Sequence, residues 1–194
     1  MSLIDKVVAA VTPPESAKSQ AEARAKARAM SRPGDWLSMV LRHHEQIESA
    51  FAAVKNATTA TARTAAHKRL GIILTGHSNA EESVLYPALA RADEKSDAAT
   101  AYTQQAAAKT EMAALENIPP MSQEYLDKLE HIRAAVAHHV YEEEGTWFPA
   151  LHEKTPAAEQ AKLFDRYIEE FERYVDDDGV LDDVRRSAGA RETR

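Results

Sequence analysis

From Asp35 onward, apolar residues return every three to four positions, the period of a helix with one buried face. The first such stretch runs from about Asp35 to Lys55, with Leu37, Val40, Ile47 and Phe51 on one side. Asp35 follows the breaker SRPGD and is placed to cap it. NATTAT interrupts the pattern, and a second helix is predicted over about Thr61–Arg91, with Leu70, Ile73 or Leu74, and Val84 facing inward. Ser96-Asp97 caps a third helix that ends before Ile118-Pro119-Pro120, and a fourth opens at Ser122 and extends to about Trp147. Thr155-Pro156 has the cap-then-proline form of one more helix start, and Phe164, Ile168, Phe171 and Val175 give that helix an apolar stripe. No stretch alternates long enough for a strand.

Four helices with short connections predict an all-α fold, an up-down-up-down four-helix bundle over residues 35–152. A C-terminal helix over 153–178 is expected to pack on it. Residues 1–34 alternate alanine with charge in EARAKARAM, so they are read as a peripheral helix and linker, exposed or loosely docked. Residues 179–194 mix Asp, Arg, Gly and Ser and are read as a flexible tail.

Two segments of the helical pattern are near-copies. HSNAEESVLYPAL (77–89) and HVYEEEGTWFPAL (139–151) each contain His, three residues, Glu-Glu, three residues, an aromatic and Pro-Ala-Leu. Residues four apart share a helix face, so His77 with Glu81, and His139 with Glu143, can each converge on one metal ion. Both pairs also fall on the buried face: His77 and Glu81 lie between Ile73 and Val84, and His139 and Glu143 continue the stripe of Ile132 and Val136. One such pair is more commonly a simple His–Glu contact. Four ionisable groups in one apolar interior are too costly without compensation, and a metal neutralises both carboxylates while using both imidazoles as neutral donors. His44, at the centre of the inward stripe of the first helix, is a further candidate ligand. The third helix presents Ala98, Ala101, Gln105, Ala108, Met112 and Leu115, and its one polar member, Gln105, lies level with these groups. Three roles suit Gln105: hydrogen bonding to the site, which ranks first, weak metal binding, or pairing with another buried group. Pro87 and Pro149 are expected to kink or end their helices. Tyr86 and Phe148 are expected to plug the bundle end and to take no part in the chemistry.

Composition narrows the field. The 194 residues include 6 Gly and no Cys, which favours helix and excludes disulfides, thiolate catalysis and cysteine-ligated metals. A net charge of −7 disfavours binding to nucleic acid or an anionic membrane. No apolar run approaches the ~20 residues of a membrane span, and MSLIDKVVAAV lacks a basic leader, so a cytoplasmic location is expected. Asp176-Asp177-Asp178-Gly179 fails as a calcium loop, because its first and twelfth positions would be Tyr174 and Arg185.

With His44, His77-x-x-x-Glu81 and His139-x-x-x-Glu143, the chain resembles the haemerythrin-like HHE cation-binding family over roughly Asp35 to Leu151. The resemblance implies a haemerythrin-like bundle holding two non-haem irons, oxo- or hydroxo-bridged. Glu81 and Glu143 would bridge them, and His44, His77 and His139 would be terminal ligands. It also implies reaction with a small oxidant (dioxygen, peroxide or nitric oxide), with peroxide- or nitric-oxide-consuming turnover one outcome. The family places a histidine on the third helix where this chain has Gln105, so one iron would be held more weakly or left more open. Tyr102 and His131 are poor substitutes. The alternative is a single-metal or metal-free helical interaction or sensing module. Ferritin-type chemistry is disfavoured because no Glu-x-x-His occurs, and a zinc protease because no His-Glu-x-x-His does. His43 and His138 sit one residue off the inward face and suit supporting or surface roles. His67 is nearly three turns from His77, and His152, after the proline, is expected to face solvent.

Overall fold

The computed structural model describes residues 15–175. The sequence features at 1–14 and 176–194, including Asp176-Asp177-Asp178-Gly179, lie outside the described residues. Helix α1 spans Ala17–Met30 and α2 spans Trp36–Asn56. Helix α3 (Ala60–Ala80) runs through a π-helical turn at Glu81–Leu85 into α4 (Tyr86–Arg91). Helix α5 is Lys95–Leu115; α6 (Gln123–Glu142) passes through a second π turn at Glu143–Trp147 into α7 (Phe148–Lys154), and α8 is Ala157–Val175. The fold is all-α, with no strand among the described residues.

The helix starts follow from local chemistry. Side chains of Asp35, Thr59 and Ser122 accept from the backbone N–H three residues on, at 2.7, 3.2 and 3.1 Å, which satisfies donors that the first turn leaves unpaired. The third predicted cap is corrected: α5 begins at Lys95, ahead of Ser96-Asp97. The reversal is completed earlier, where Asp93 takes φ 69° and the Glu94 N–H bonds Leu89 O at 3.2 Å, so the helix starts immediately after it. At the other end of α2, the buried Arg63 guanidinium donates to the carbonyls of Val54, Lys55, Ala57 and Pro120. That one side chain satisfies frayed carbonyls and ties α2 to the loop before α6.

Helix α2 packs along α3, α8 lies against both, and α5 packs between α4 and α6. The core runs through Trp36, Leu37, Val40, Ile47, Phe51, Leu70, Leu85, Leu89, Leu115, Ile132 and Phe148. The buried stripe of α8 is Leu163, Tyr167, Phe171 and Val175, so the predicted stripe is turned: Phe164 and Ile168 are only half-buried. Turning it seats Tyr167 inside the protein. Gly76 makes the close approach of α8 feasible, since a Cβ there would meet Val175 Cγ2 at 2.6 Å and Phe171 at 3.3 Å. Helix α1 is seated through Ala23 and Ala27, and it contacts the second π turn, α2, α6 and α7.

Neither proline ends its helix. Pro87 and Pro149 each occupy the opening turn of the helix after a π turn, where Tyr86 N–H bonds Glu81 O and Phe148 N–H bonds Glu143 O. A π turn bonds residues five apart, so Pro87 would pair with Glu82 O, to which proline has no N–H to give. Tyr102 OH donates to that carbonyl at 2.6 Å instead.

Candidate metal centre

The duplicated segments of α3 and α6 bring their His–Glu pairs to one buried point. His77 Nε2 lies 3.2 Å from Glu81 Oε2, and His139 Nε2 lies 3.2 Å from Glu143 Oε1. From α2, His44 Nε2 reaches in to 3.3 Å from Glu143 Oε2 and 3.8 Å from Glu81 Oε1. Ligand atoms of His44, His77, Glu81 and Glu143 all lie within 4.8 Å of one another. His139 joins from the Glu143 side, and Gln105 Nε2 from α5 donates to Glu81 Oε2 at 2.5 Å and lies 3.5 Å from His139 Nε2. All six residues singled out in the sequence thus surround one centre, and all six are buried.

The π turns explain a seventh member. In an unbroken α-helix, Tyr86 would sit about 140° round from Glu81. The π turn that starts at Glu81 returns Tyr86 to the face of that carboxylate. Tyr86 OH lies 2.9 Å from Glu143 Oε1, 3.2 Å from Glu81 Oε2 and 3.1 Å from His139 Nε2, and accepts from Gln105 Nε2 at 2.5 Å. The expectation that Tyr86 is a plug outside the chemistry is therefore corrected: its hydroxyl is at the heart of the site. Phe148 does fill the bundle end, edge-on to Trp36 at 5.6 Å and stacked at 6.4 Å from His44.

Every inward histidine is held from behind. His44 Nδ1–H donates to Glu144 Oε1 at 2.9 Å, and Arg24 of α1 donates to both oxygens of Glu144 at 2.9 and 3.1 Å and to Glu48. His139 Nδ1–H donates to Gln104 Oε1 at 2.6 Å, and His77 Nδ1 lies 3.1 Å from Tyr167 OH. In the neutral ring with Nδ1 protonated and engaged, Nε2 is left as a lone pair aimed at the centre, the arrangement that metal-binding histidines require. At His44 and His139 a metal would take the place of the proton that the nearby carboxylates favour there. Arg24, Gln104, Glu144 and Tyr167 did not emerge from the sequence. Glu144 was visible only as the residue after a candidate ligand. His43 is fully buried, stacked on Phe171 at 3.9 Å and 2.9 Å from Tyr167 OH. His152 is corrected from a solvent-facing role: it is half-buried, 3.4 Å from Asp35 and beside Trp36. His138 pairs with Glu15, and His67 lies against Tyr125.

Electrostatics divide the two carboxylates. Burial and the neighbouring Glu143 charge push the Glu81 carboxyl up to about 7. Burial opposes the charge of Glu143 too, but His139 and His44 outweigh it and hold Glu143 below the usual carboxylate range. Burial likewise works against a charge on His44, yet Glu143, Glu144 and Glu81 raise its pKa well above the ordinary value. His77, buried beside charged His44, is lowered, and His139 is raised by Glu143 against the effect of burial.

The donor set fits a cation. His44 Nε2, Glu81 Oε1 and Glu143 Oε2 are buried without an aligned hydrogen bond, and they face one another. Buried polar atoms ordinarily find partners, and three atoms that can all donate electron pairs cannot satisfy each other without protons. A positive ion among them does so directly.

Residues 37–151 match the Hemerythrin HHE cation binding domain. The chain belongs to the haemerythrin HHE cation-binding family. A DNA nickase from Nostoc sp. (strain PCC 7120 / SAG 25.82 / UTEX 2576) is 33% identical over 78 residues, which are 40% of this chain and 22% of the nickase. No solved structure matches. The match spans residues 37–151, so Arg24 in α1 and Tyr167 in α8 lie outside the matched segment.

Proposed function

We propose that this HHE protein holds non-haem iron, two ions when full, and binds or reduces a small oxidant such as dioxygen, peroxide or nitric oxide. The observation that carries the reading is the convergence of His44 Nε2, Glu81 Oε1 and Glu143 Oε2, each buried and unpaired, with His77 and His139 behind the carboxylates. Imidazole and carboxylate are a donor set suited to iron. Bound ferrous iron would supply electrons and an open coordination position. The protein's share is to hold the ligands and to offer hydrogen bonds. Glu81, Glu143, His44, His77 and His139 would hold the iron. Gln105 stands where the resemblance places a histidine, with Tyr86 O–H beside it, and both are donors suited to a small oxygen-bearing ligand. The interior position keeps bulk water away from them. A cytoplasmic setting, and the exclusion of nucleic acid and membrane as partners, belong to the same proposal. Among the described residues no helix is long and apolar enough to cross a membrane. Nicking of DNA is a property of the Nostoc protein, of which the match covers 22%.

One observation favours a second reading with a single ion. The tightest cluster joins His44, His77, Glu81 and Glu143, while Gln105 takes the place of the family histidine beside His139. Metal analysis of protein expressed with iron separates the two. About two irons per chain support the full site. One iron supports the single-ion centre, and Gln105→His should then raise the count. None would sink both. Addition of dioxygen or peroxide to the ferrous form should change the near-ultraviolet and visible absorption, and an unchanged spectrum would argue against oxidant chemistry.

A further inference from the structure

We infer that α8, which lies outside the matched segment, is a working part of the metal centre: Tyr167 is a positioning residue that, with His43, fixes the tautomer of His77. The inference rests on His77 being a metal ligand. Tyr167 OH lies 3.1 Å from His77 Nδ1 and 2.9 Å from His43 Nδ1, and all three side chains are buried. The geometry allows one hydroxyl proton between two ring nitrogens. For His77 to present a lone pair at Nε2, its own proton must sit on Nδ1 and be donated to the Tyr167 oxygen. Tyr167 must then donate to His43 Nδ1, which places the His43 proton on Nε2, an atom without a partner among the described residues. The chain of donors therefore runs in one direction when His77 is a ligand: His77 to Tyr167 to His43.

Two further observations show that this contact is built. Phe171, one turn along α8 from Tyr167, stacks on His43 at 3.9 Å and fixes that ring. Gly76, next to His77 in sequence, provides the clearance without which Val175 and Phe171 could not approach. Partners behind a ligating histidine set its orientation and basicity, and their loss commonly weakens a metal site about 10- to 100-fold.

The test uses the full chain with ferrous iron under anaerobic conditions, and zinc as a diamagnetic probe. Tyr167→Phe keeps the ring and removes only the hydroxyl. The expected result is a modest fall in the melting temperature of the metal-free protein, because two buried ring nitrogens lose their partner, a smaller rise on metal loading, and removal of iron by a chelator about tenfold faster or more. His43→Phe should do the same, and the double variant should be no worse than the worse single one, because the three groups act in series. In the zinc-loaded protein, 15N imidazole shifts should place the His43 proton on Nε2. The inference is overturned if Tyr167→Phe lowers both melting temperatures equally, if the losses of the single variants add, or if His43 is protonated on Nδ1. If His43→Phe does not fold, Tyr167→Phe and the His43 tautomer decide the matter. A wild-type protein that binds neither metal ends the metal reading itself, and this inference with it. Unchanged binding by the variants ends this inference alone.

Discussion

The half-site of α3 and the half-site of α6 share a sequence pattern, a π turn at the glutamate and an aromatic-proline ending, yet they are not equivalent. Glu143 faces His44 and His139 and is held ionised, whereas Glu81 faces its equal, Glu143, and its carboxyl is raised to about 7. Tyr86 turns a hydroxyl into the centre, while Phe148 at the matching position presents only a ring. His77 is backed by the buried Tyr167, and His139 by Gln104 at a part-buried contact. A repeated motif therefore specifies where the histidines and glutamates go, and the neighbours from other helices decide the charge and hydrogen bonding of each.

The largest expected effect comes from removing the carboxylates one at a time without changing their volume. Glu143→Gln should weaken metal binding by about 100-fold or more, taking a per-ligand share of about 3 kcal/mol from the total binding energy of four-ligand sites. Glu81→Gln should weaken it less, since the metal must already displace a proton from Glu81 near neutral pH. Competition with a chelator of known affinity ranks the two variants. Equal losses, or the reverse order, would break the asymmetry.

Exchange of the aromatics is the next largest. Tyr86→Phe removes a hydroxyl shared by Glu81, Glu143, His139 and Gln105, and should lower metal affinity about 10- to 100-fold, as loss of a supporting hydrogen bond commonly does. Phe148→Tyr should leave metal affinity nearly unchanged. It should instead lower stability by about 1–3 kcal/mol, the usual result of burying a hydroxyl without a partner. Thermal melts of the metal-free proteins together with chelator competition separate the two outcomes. A loss of metal affinity in Phe148→Tyr as large as that in Tyr86→Phe would show that the two aromatics are interchangeable after all.

The same pair shows what could be read in the sequence and what could not. The helices, Asp35 and Ser122 as caps, and the inward faces of His44, His77, Glu81, Gln105, His139 and Glu143 follow from a 3.6-residue period. Tyr86 escaped because that period places it on the wrong face. Only the π turn corrects the angle, and its one trace in the sequence is the proline that follows each aromatic at the same spacing. Tyr167 escaped for a different reason: Phe164 and Ile168 make as good a stripe as Leu163 and Tyr167, and packing on Gly76 chooses between them. Arg24 lies in a segment whose composition gave it no face at all. It is fixed by the carboxylates of Glu144 and Glu48, which no local pattern connects to α1.

The smallest effect is the dependence of metal affinity on pH, and it too should divide the half-sites. A carboxyl raised to about 7 in the metal-free protein holds a proton below that pH, and the proton must leave before the metal can bind. For one such proton, affinity falls about tenfold for each unit below pH 7 and levels off above it. His44 and His139 are raised as well, so their protons are displaced too, and the fall between pH 7 and pH 6 should be at least tenfold. Glu143 is held ionised throughout that interval and contributes nothing to the slope. Glu81→Gln should therefore flatten the profile by one proton. Glu143→Gln should keep a Glu81 step, since burial is the larger cause of its shift, but move it to lower pH because the Glu143 charge is gone, and should bind more weakly at every pH. Chelator competition at pH 6, 7 and 8 for the three proteins reads this directly. A slope that survives Glu81→Gln unchanged would place the displaced proton on the histidines and remove the electrostatic half of the comparison.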